Sequence, residues 1–595
     1  MLKSSVRRIR SIVNRLLTLR KKYISERNFL FLVSALVGIA AGLAAVTLKS
    51  AVHYIHHNFT SEAYDENFYQ LLYPIAGLII TVILARILYS PLLGHAISDI
   101  LYSIAKKSSK MAPRKTYSSM ITSAFTVGFG GSAGLESPVL LTGSAIGSNI
   151  ASSLNLPYQT RTLMIGCGTA GVIAAIFNAP IAGLIFSLEV ILTQVTLANF
   201  IPLLISSVSA TLVSIMLLGD EILFSFRLDE AYSAYDIPFY IGLGLICGVF
   251  SIGFSYIFHK TEHTFEKIKN KFLRAFVGGI ILSTLIFICP PVYGEGYYSI
   301  LALMIGQEEF LVNRSVLFSQ FDTGWLFLVF LIIVLLAKAL ASAVTIGAGG
   351  SGGTFAPSMF LGGITGFSFA RLVNLTGMAE VSESNFALVG MCGVLSGIQY
   401  APLSAIFLIA ELTGGYTLFI PLMVASAIAH ITVSYFNADS PYVRFLIEKG
   451  ELVKGTEDEK VLHHLKINQL IETDLKPVQE DGLLDDLITV ISTSKRNIFP
   501  VLNTKGKLVG IITLDRVREI MFDLKKRETV SIKSLMNEPL EVIDVDEEME
   551  EVMHKFEVTN VWNLPVVKEG KYVGFVSKSR IFGLYREQLI RQNIT

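Results

Sequence analysis

Hydrophobic positions run in long unbroken blocks through the first three quarters of the chain and in short alternating runs through the last quarter. Blocks such as FLFLVSALVGIAAGLAAVTL (29–48), IPLLISSVSATLVSIMLL (201–218) and WLFLVFLIIVLLA (325–337) approach or reach the roughly 20 residues that carry a helix across about 30 Å of hydrocarbon. They predict several membrane-spanning helices. Near residue 447 the pattern breaks into the charged stretch EKGELVKGTEDEKVLHHLK, which marks a domain boundary. Beyond it FPVLNTKGKLVGIITLDRV (499–517) parallels LPVVKEGKYVGFVSKSRI (564–581): each reads as strand, Lys/Gly turn, strand, helix. Each copy follows a segment opening with INQLI or IKSLM and continuing into an amphipathic helix.

The membrane part is duplicated as well. GGSAGLESP (130–138) maps onto GGSGGTFAP (349–357) with a shift of 219, and NAPIAGLIFSLE (178–189) onto YAPLSAIFLIAE (400–411) with a shift of 222. Pro138/Pro357, Pro180/Pro402 and Glu189/Glu411 persist through both copies, which argues for ancestral duplication.

In a bilayer every backbone N–H and C=O needs a partner, so Gly-rich irregular backbone survives only where it is buried or lines a cavity. Transporters with internal repeats bring broken helices together near the midplane, their free ends holding the substrate. Each Gly cluster here is followed by a proline at a position suited to a first helical turn, so each phrase predicts a helix start within the membrane. Such starts present unpaired N–H groups and about half a positive charge, which suits an anion. The donors would be the N–H groups around Glu136 and around Thr354 and Phe355. An ionised side chain in a bilayer is costly and is a functional candidate by default. Glu136 could occupy the anion's own place when charged and leave it when protonated; the alternative is an acid that merely satisfies local N–H groups.

Composition agrees. The 595 residues are 52% hydrophobic and 16% charged, with a mean hydropathy of +0.56. Nine Lys or Arg against the single acid Glu26 in residues 1–27 place the N-terminus in the cytoplasm by the positive-inside bias. The segment SIVNRLLTL there is amphipathic enough to lie on a membrane surface, a solvated basic tail being the other reading, and it lacks the features of a cleavable signal. The four cysteines stand singly and suggest buried small apolar residues. No metal site is expected: HYIHH (53–57) and HKTEH (259–263) sit at ends of apolar runs. HExxH, which an intramembrane metalloprotease would carry, does not occur. A cation transporter would call for several pore carboxylates, and Glu136 stands alone among anion-friendly helix starts. No enzyme activity and no nucleic-acid partner are expected.

GLESP, GGTFAP, NAPIAGLIFSLEV, YAPLSAIFLIAELTG and PYVRF together resemble the CLC family of chloride channels and proton-coupled chloride antiporters, and the tail resembles a pair of CBS domains. The fold so implied is an all-α multi-span membrane domain of two inverted repeats with broken helices, plus an α/β cytoplasmic CBS pair. The expected boundaries are a basic N-terminal segment (1–27), membrane domain (28–447), linker (448–466) and CBS domains at 467–522 and 523–588. The resemblance implies gating by Glu136, backbone N–H groups of Thr354 and Phe355 on the central anion, a hydroxyl from Tyr442, and a homodimer with one pore per subunit.

The departures bear on mechanism. GLESP replaces the family's GREGP or GKEGP, so Leu135 stands for a basic residue and Ser137 for glycine. GHAIS (94–98) stands for the family's GSGIP or its bacterial variant GHGVP, with the second Gly and the Pro replaced, which puts His95 where a serine often binds the inner anion and makes Ser98 a substitute donor. Val190 stands where proton-coupled members usually carry an internal glutamate, which favours passive chloride flow over antiport by another proton route. Adjacent helical side chains point about 100° apart, so Glu189 need not substitute; a structural role is expected for Glu189 and Glu411. Retention of Tyr442 argues against the fluoride-exporting branch. In the tail, an adenine nucleotide is the candidate ligand, held by a Ser/Thr with an Asp three positions later. Thr513 and Ser577 are instead followed by Arg516 and Arg580, and Asp515 lies one position early, so a structural, dimerising tail is the competing expectation.

Overall fold

The computed structural model describes residues 24–60, 71–88, 95–192, 197–219, 233–312, 315, 324–451 and 465–594. The basic segment up to residue 23, Gly94 and most of the connector at 452–464 lie outside them. The chain forms two compact units, Met1–Leu452 and Val453–Thr595.

The first unit is helical. Seven of its described helices are long and apolar enough to cross a membrane; Glu26–Ile55, Leu197–Leu218 and Gly324–Gly347 contain the three blocks picked out above. Others are too short to span: Pro180–Phe186 and Pro402–Leu412 begin with their repeat-related prolines and break off within the membrane unit.

The repeats meet in reciprocal pairs. Gly134 N–H donates to Gly353 O and Gly353 N–H to Gly134 O, both at 2.9 Å. Ser132 N–H donates to Thr345 Oγ1 at 3.1 Å, while Ser351 N–H donates to Thr126 Oγ1 at 3.0 Å. If position a of one copy binds position b of the other, b of the first binds a of the second, as a two-fold relation requires. Each Gly-rich phrase thus satisfies the backbone of the other, which is how irregular chain is tolerated at this depth.

The same reciprocity fixes the broken helices. Glu189 accepts from Leu403 N–H at 3.1 Å and Ser404 N–H at 2.8 Å, and Glu411 accepts from Ile181 N–H at 3.0 Å and Ala182 N–H at 2.7 Å. Each acid caps the other copy's helix start, where unpaired N–H groups favour a carboxylate. Asn178 and Tyr400, which precede those starts, both adopt left-handed backbone, at φ 52° and 57°. Gly143 and Gly168 permit backbone contact between the Glu136–Ser153 and Tyr158–Phe177 helices: a Cβ at Gly143 would lie 2.4 Å from Gly168 O.

The tail holds two three-stranded sheets. In the first, β1 (Val478–Gln479) runs parallel to β2 (Ile498–Leu502), which is antiparallel to β3 (Leu508–Thr513). In the second, β4 (Ile543–Asp544), β5 (Asn563–Lys568) and β6 (Lys571–Ser577) repeat that order, and both sheets bulge at the same step, Val501/Leu502 and Val566/Val567. Their leading segments are exchanged. Ile467 and Leu470 pack into the core of the second sheet and Glu472 bridges Phe575, whereas Ile532 and Leu535 pack into the first and Asn537 bridges Ile511. The cores of the two sheets are therefore interlocked through these leading segments.

Candidate functional site

Glu136 and Phe355 are the first residues of the helices Glu136–Ser153 and Phe355–Leu375, with Leu135 and Thr354 at the N-caps and no capping side chain at either. The Gly134–Gly353 bridge brings these two starts together. Glu136 is 1% exposed. Its Oε1 accepts from the Tyr297 hydroxyl at 2.8 Å. The backbone N–H groups of Glu136 itself and of Ala356 lie beside its carboxylate, and Oε2 makes no full hydrogen bond. The carboxylate therefore sits between the two helix starts, where their dipoles would hold a small anion. Gly134 makes that possible: a Cβ there would lie 2.0 Å from Glu136 Oε2 and 3.0 Å from Ala356 N.

Around this point the walls are defined. Phe355 packs against Phe177 and Phe186, with ring centroids 5.5 and 6.2 Å apart. Ser137 lies against Gly353, its Oγ 2.1 Å from where a Cβ would stand. Leu135 is buried, and its N–H donates to Glu295 Oε1 at 3.3 Å.

From Thr354 a polar chain leads away from Glu136. Gln399 Nε2 donates to Thr354 Oγ1 at 3.3 Å, and the Tyr442 hydroxyl donates to Gln399 Oε1. Ser98 Oγ donates to Tyr442 O at 3.1 Å, which joins GHAIS to PYVRF. His95 has another neighbour: its Nε2 is 2.8 Å from Glu262 Oε1 and its ring stacks on Phe445 at 3.7 Å. So the ring nitrogen that a serine-like ligand would need is engaged by Glu262, and Ser98 and Tyr442 stand together without it. Val190 is half-buried in the π-turn Ser187–Ile191 that ends the first broken helix. Glu189 beside it also accepts from Ser404 Oγ at 2.6 Å.

Four residues near the site were not singled out from sequence: Tyr297, Glu295, Lys338 and Gln399. Lys338 is fully buried in the Gly324–Gly347 helix. Its Nζ donates to Gly294 O at 2.7 Å and Val292 O at 3.2 Å and lies 4.8 Å from the Phe360 ring centroid. A lone Lys inside VFLIIVLLAKALASAV and a lone acid in VYGEGYY were the available signals, since ionisable residues in apolar sequence are rare.

In the tail, the Ser577 hydroxyl donates to Glu472 and accepts from Arg580 N–H at 3.2 Å. Thr513 is exposed, and Asp515 pairs with Arg518 at 2.8 Å. The Arg496 guanidinium beside Asp474 holds that carboxyl below its usual range and also binds Glu472. Of the residues expected for a ribose only Ser577 is engaged within the fold; Thr513 and Asp515 stand at the surface, the latter in an exposed pair with Arg518.

A family model described as voltage gated chloride channel matches residues 76–434, and the CBS domain model matches residues 467–523 and 532–587. A putative chloride channel protein, ClcB-like, of Ralstonia nicotianae is 28% identical over 58% of this chain and 78% of its own. Chloride channel protein CLC-f of Arabidopsis thaliana is 25% identical over 93% of this chain and 79% of its own. Among solved structures, a slow cyanobacterial Cl-/H+ antiporter superposes with a TM-score of 0.61 at 21% identity, covering 72% of this chain and 98% of that one.

Proposed function

We propose, from the premise that this chain belongs to the voltage gated chloride channel family, that it moves chloride or a similar small anion across a bilayer through a pathway gated by Glu136. The observation that carries this reading is the carboxylate of Glu136 lying between two helix starts, against the N–H of Ala356 and hydrogen-bonded to Tyr297. A charged carboxylate there takes the interactions an anion needs; a protonated one loses its attraction to the helix dipoles and yields the place. Dipolar N–H donors hold an ion weakly enough for it to leave.

Flow is read as passive, because Val190 offers no proton site and Glu189 beside it is fully engaged as a cap. The alternative is chloride/proton antiport by a different internal route, which the His95–Glu262 pair keeps in view. The chain is further read as a homodimer with one pathway per subunit and a cytoplasmic N-terminus and tail. The tail is read as a dimerising, structural domain, since Arg516 and Arg580 stand where a ribose-binding acid is expected and Ser577 is engaged by Glu472; adenine-nucleotide binding is the alternative.

The test is chloride efflux from liposomes holding the purified chain, across a range of pH. Wild type should conduct above empty vesicles with a pH-dependent rate. Glu136→Gln should conduct with that pH dependence gone. No flux above empty vesicles, or an unaltered pH profile in the variant, would sink the reading.

A further inference from the structure

The gate has a second carboxylate beside it. Glu295 sits in the turn between the Lys271–Ile288 and Tyr297–Met304 helices, and its Oε1 accepts from Leu135 N–H at 3.3 Å. Leu135 is the N-cap of the helix that Glu136 begins, so two acids share one helix start. The charged and titratable groups facing Glu295 are Glu136, Lys338 and Lys49, and Tyr297 faces both acids.

The turn is held rigidly. Lys338 binds the carbonyls of Val292 and Gly294 on the near side of Glu295, and Gly296, at φ 91°, follows on the other. A Cβ at Gly296 would lie 2.4 Å from the Phe360 ring and 3.3 Å from Lys338 Nζ, so the backbone packs closely at the residue after the acid. Glu136 is buried with Oε2 lacking a full hydrogen bond, whereas Glu295 Oε1 is held by the Leu135 N–H.

We propose that Glu295 is a positioning and proton-tuning residue for the gate: its carboxylate opposes the charged form of Glu136 and sets the pH at which Glu136 leaves the anion's place. Like charges sharing a site resist joint ionisation, and they titrate as a coupled pair. The contact runs through the Leu135 backbone N–H, at the N-cap of the helix that Glu136 begins, so it couples Glu295 to the gate whatever side chain stands at 135.

The proposal rests on the Glu136 gate, and the experiment separates the two. In full-length protein in liposomes, Glu295→Gln should shift the midpoint of the chloride-flux pH profile about one pH unit to the acid side. The sign follows from removing a neighbouring negative charge: Glu136 then stays ionised, and in the anion's place, to lower pH. In a Glu136→Gln background the same substitution should leave the profile flat. A Glu295→Gln profile that superimposes on wild type, while Glu136→Gln still flattens it, overturns this inference alone. If Glu295→Gln does not give folded protein, Glu295→Asp decides: its retracted carboxylate should shift the midpoint in the same direction by less, and superposition on wild type overturns the inference.

Discussion

At Gly134 a single hydrogen stands where any side chain would meet the gate. Since the atom a Cβ would strike there is the far end of a mobile carboxylate, Gly134→Ala should displace Glu136 rather than unfold the chain. The expected outcome is chloride flux at neutral pH raised toward that of Glu136→Gln, with about 1–3 kcal/mol lost from crowding near Ala356. Liposome efflux with a melting curve checks both, and wild-type flux in a folded variant would contradict it. Glu136, Pro138 and Phe355 were legible because a repeated phrase with one changed residue advertises itself. Gln399 was not: it sits at the end of a buried helix, and only the fold brings Tyr442 to it.

Among elements, the short helices opening at Pro180 and Pro402 depend on acids from the opposite repeat. Glu189→Gln and Glu411→Gln should each lower thermal stability by an amount corresponding to about 1–3 kcal/mol, because the amide puts an NH2 donor where the second carboxylate oxygen accepts an N–H and removes the charge. Neither should alter the pH profile of chloride flux. A Glu189→Gln protein of wild-type stability with changed proton dependence would return Glu189 to the proton path. The duplication and the helix breaks could be read from spacing and proline. The exchange of leading segments in the tail could not, since INQLI and IKSLM are equally compatible with either sheet and only packing decides.

For the whole molecule, the distinction between channel and antiporter turns on one measurement. Simultaneous recording of chloride and proton movement should show a chloride gradient driving no uphill proton flow, as expected when Val190 and a capped Glu189 leave the usual internal relay empty. Stoichiometric proton pumping would overturn this and direct attention to His95 and Glu262. The membrane class was legible from block length alone, and the two-domain division from the change of pattern near residue 447. The polar surroundings of the gate were not, because the meeting of the Glu295–Tyr297 stretch with Lys338 and Glu136 has no period in sequence.

The reciprocal bonding of the two Gly-rich phrases also bears on how the chain is made. Ser351 reaches its acceptor Thr126 across 225 residues, so the earlier phrase enters the bilayer long before its complement exists. At synthesis rates of about 5–20 residues per second that interval is roughly 10–45 s. Throughout it, backbone N–H and C=O groups at membrane depth must be kept hydrated or sheltered by the insertion machinery. Biogenesis, rather than transport, is then the stage at which a nascent first half is most vulnerable to degradation.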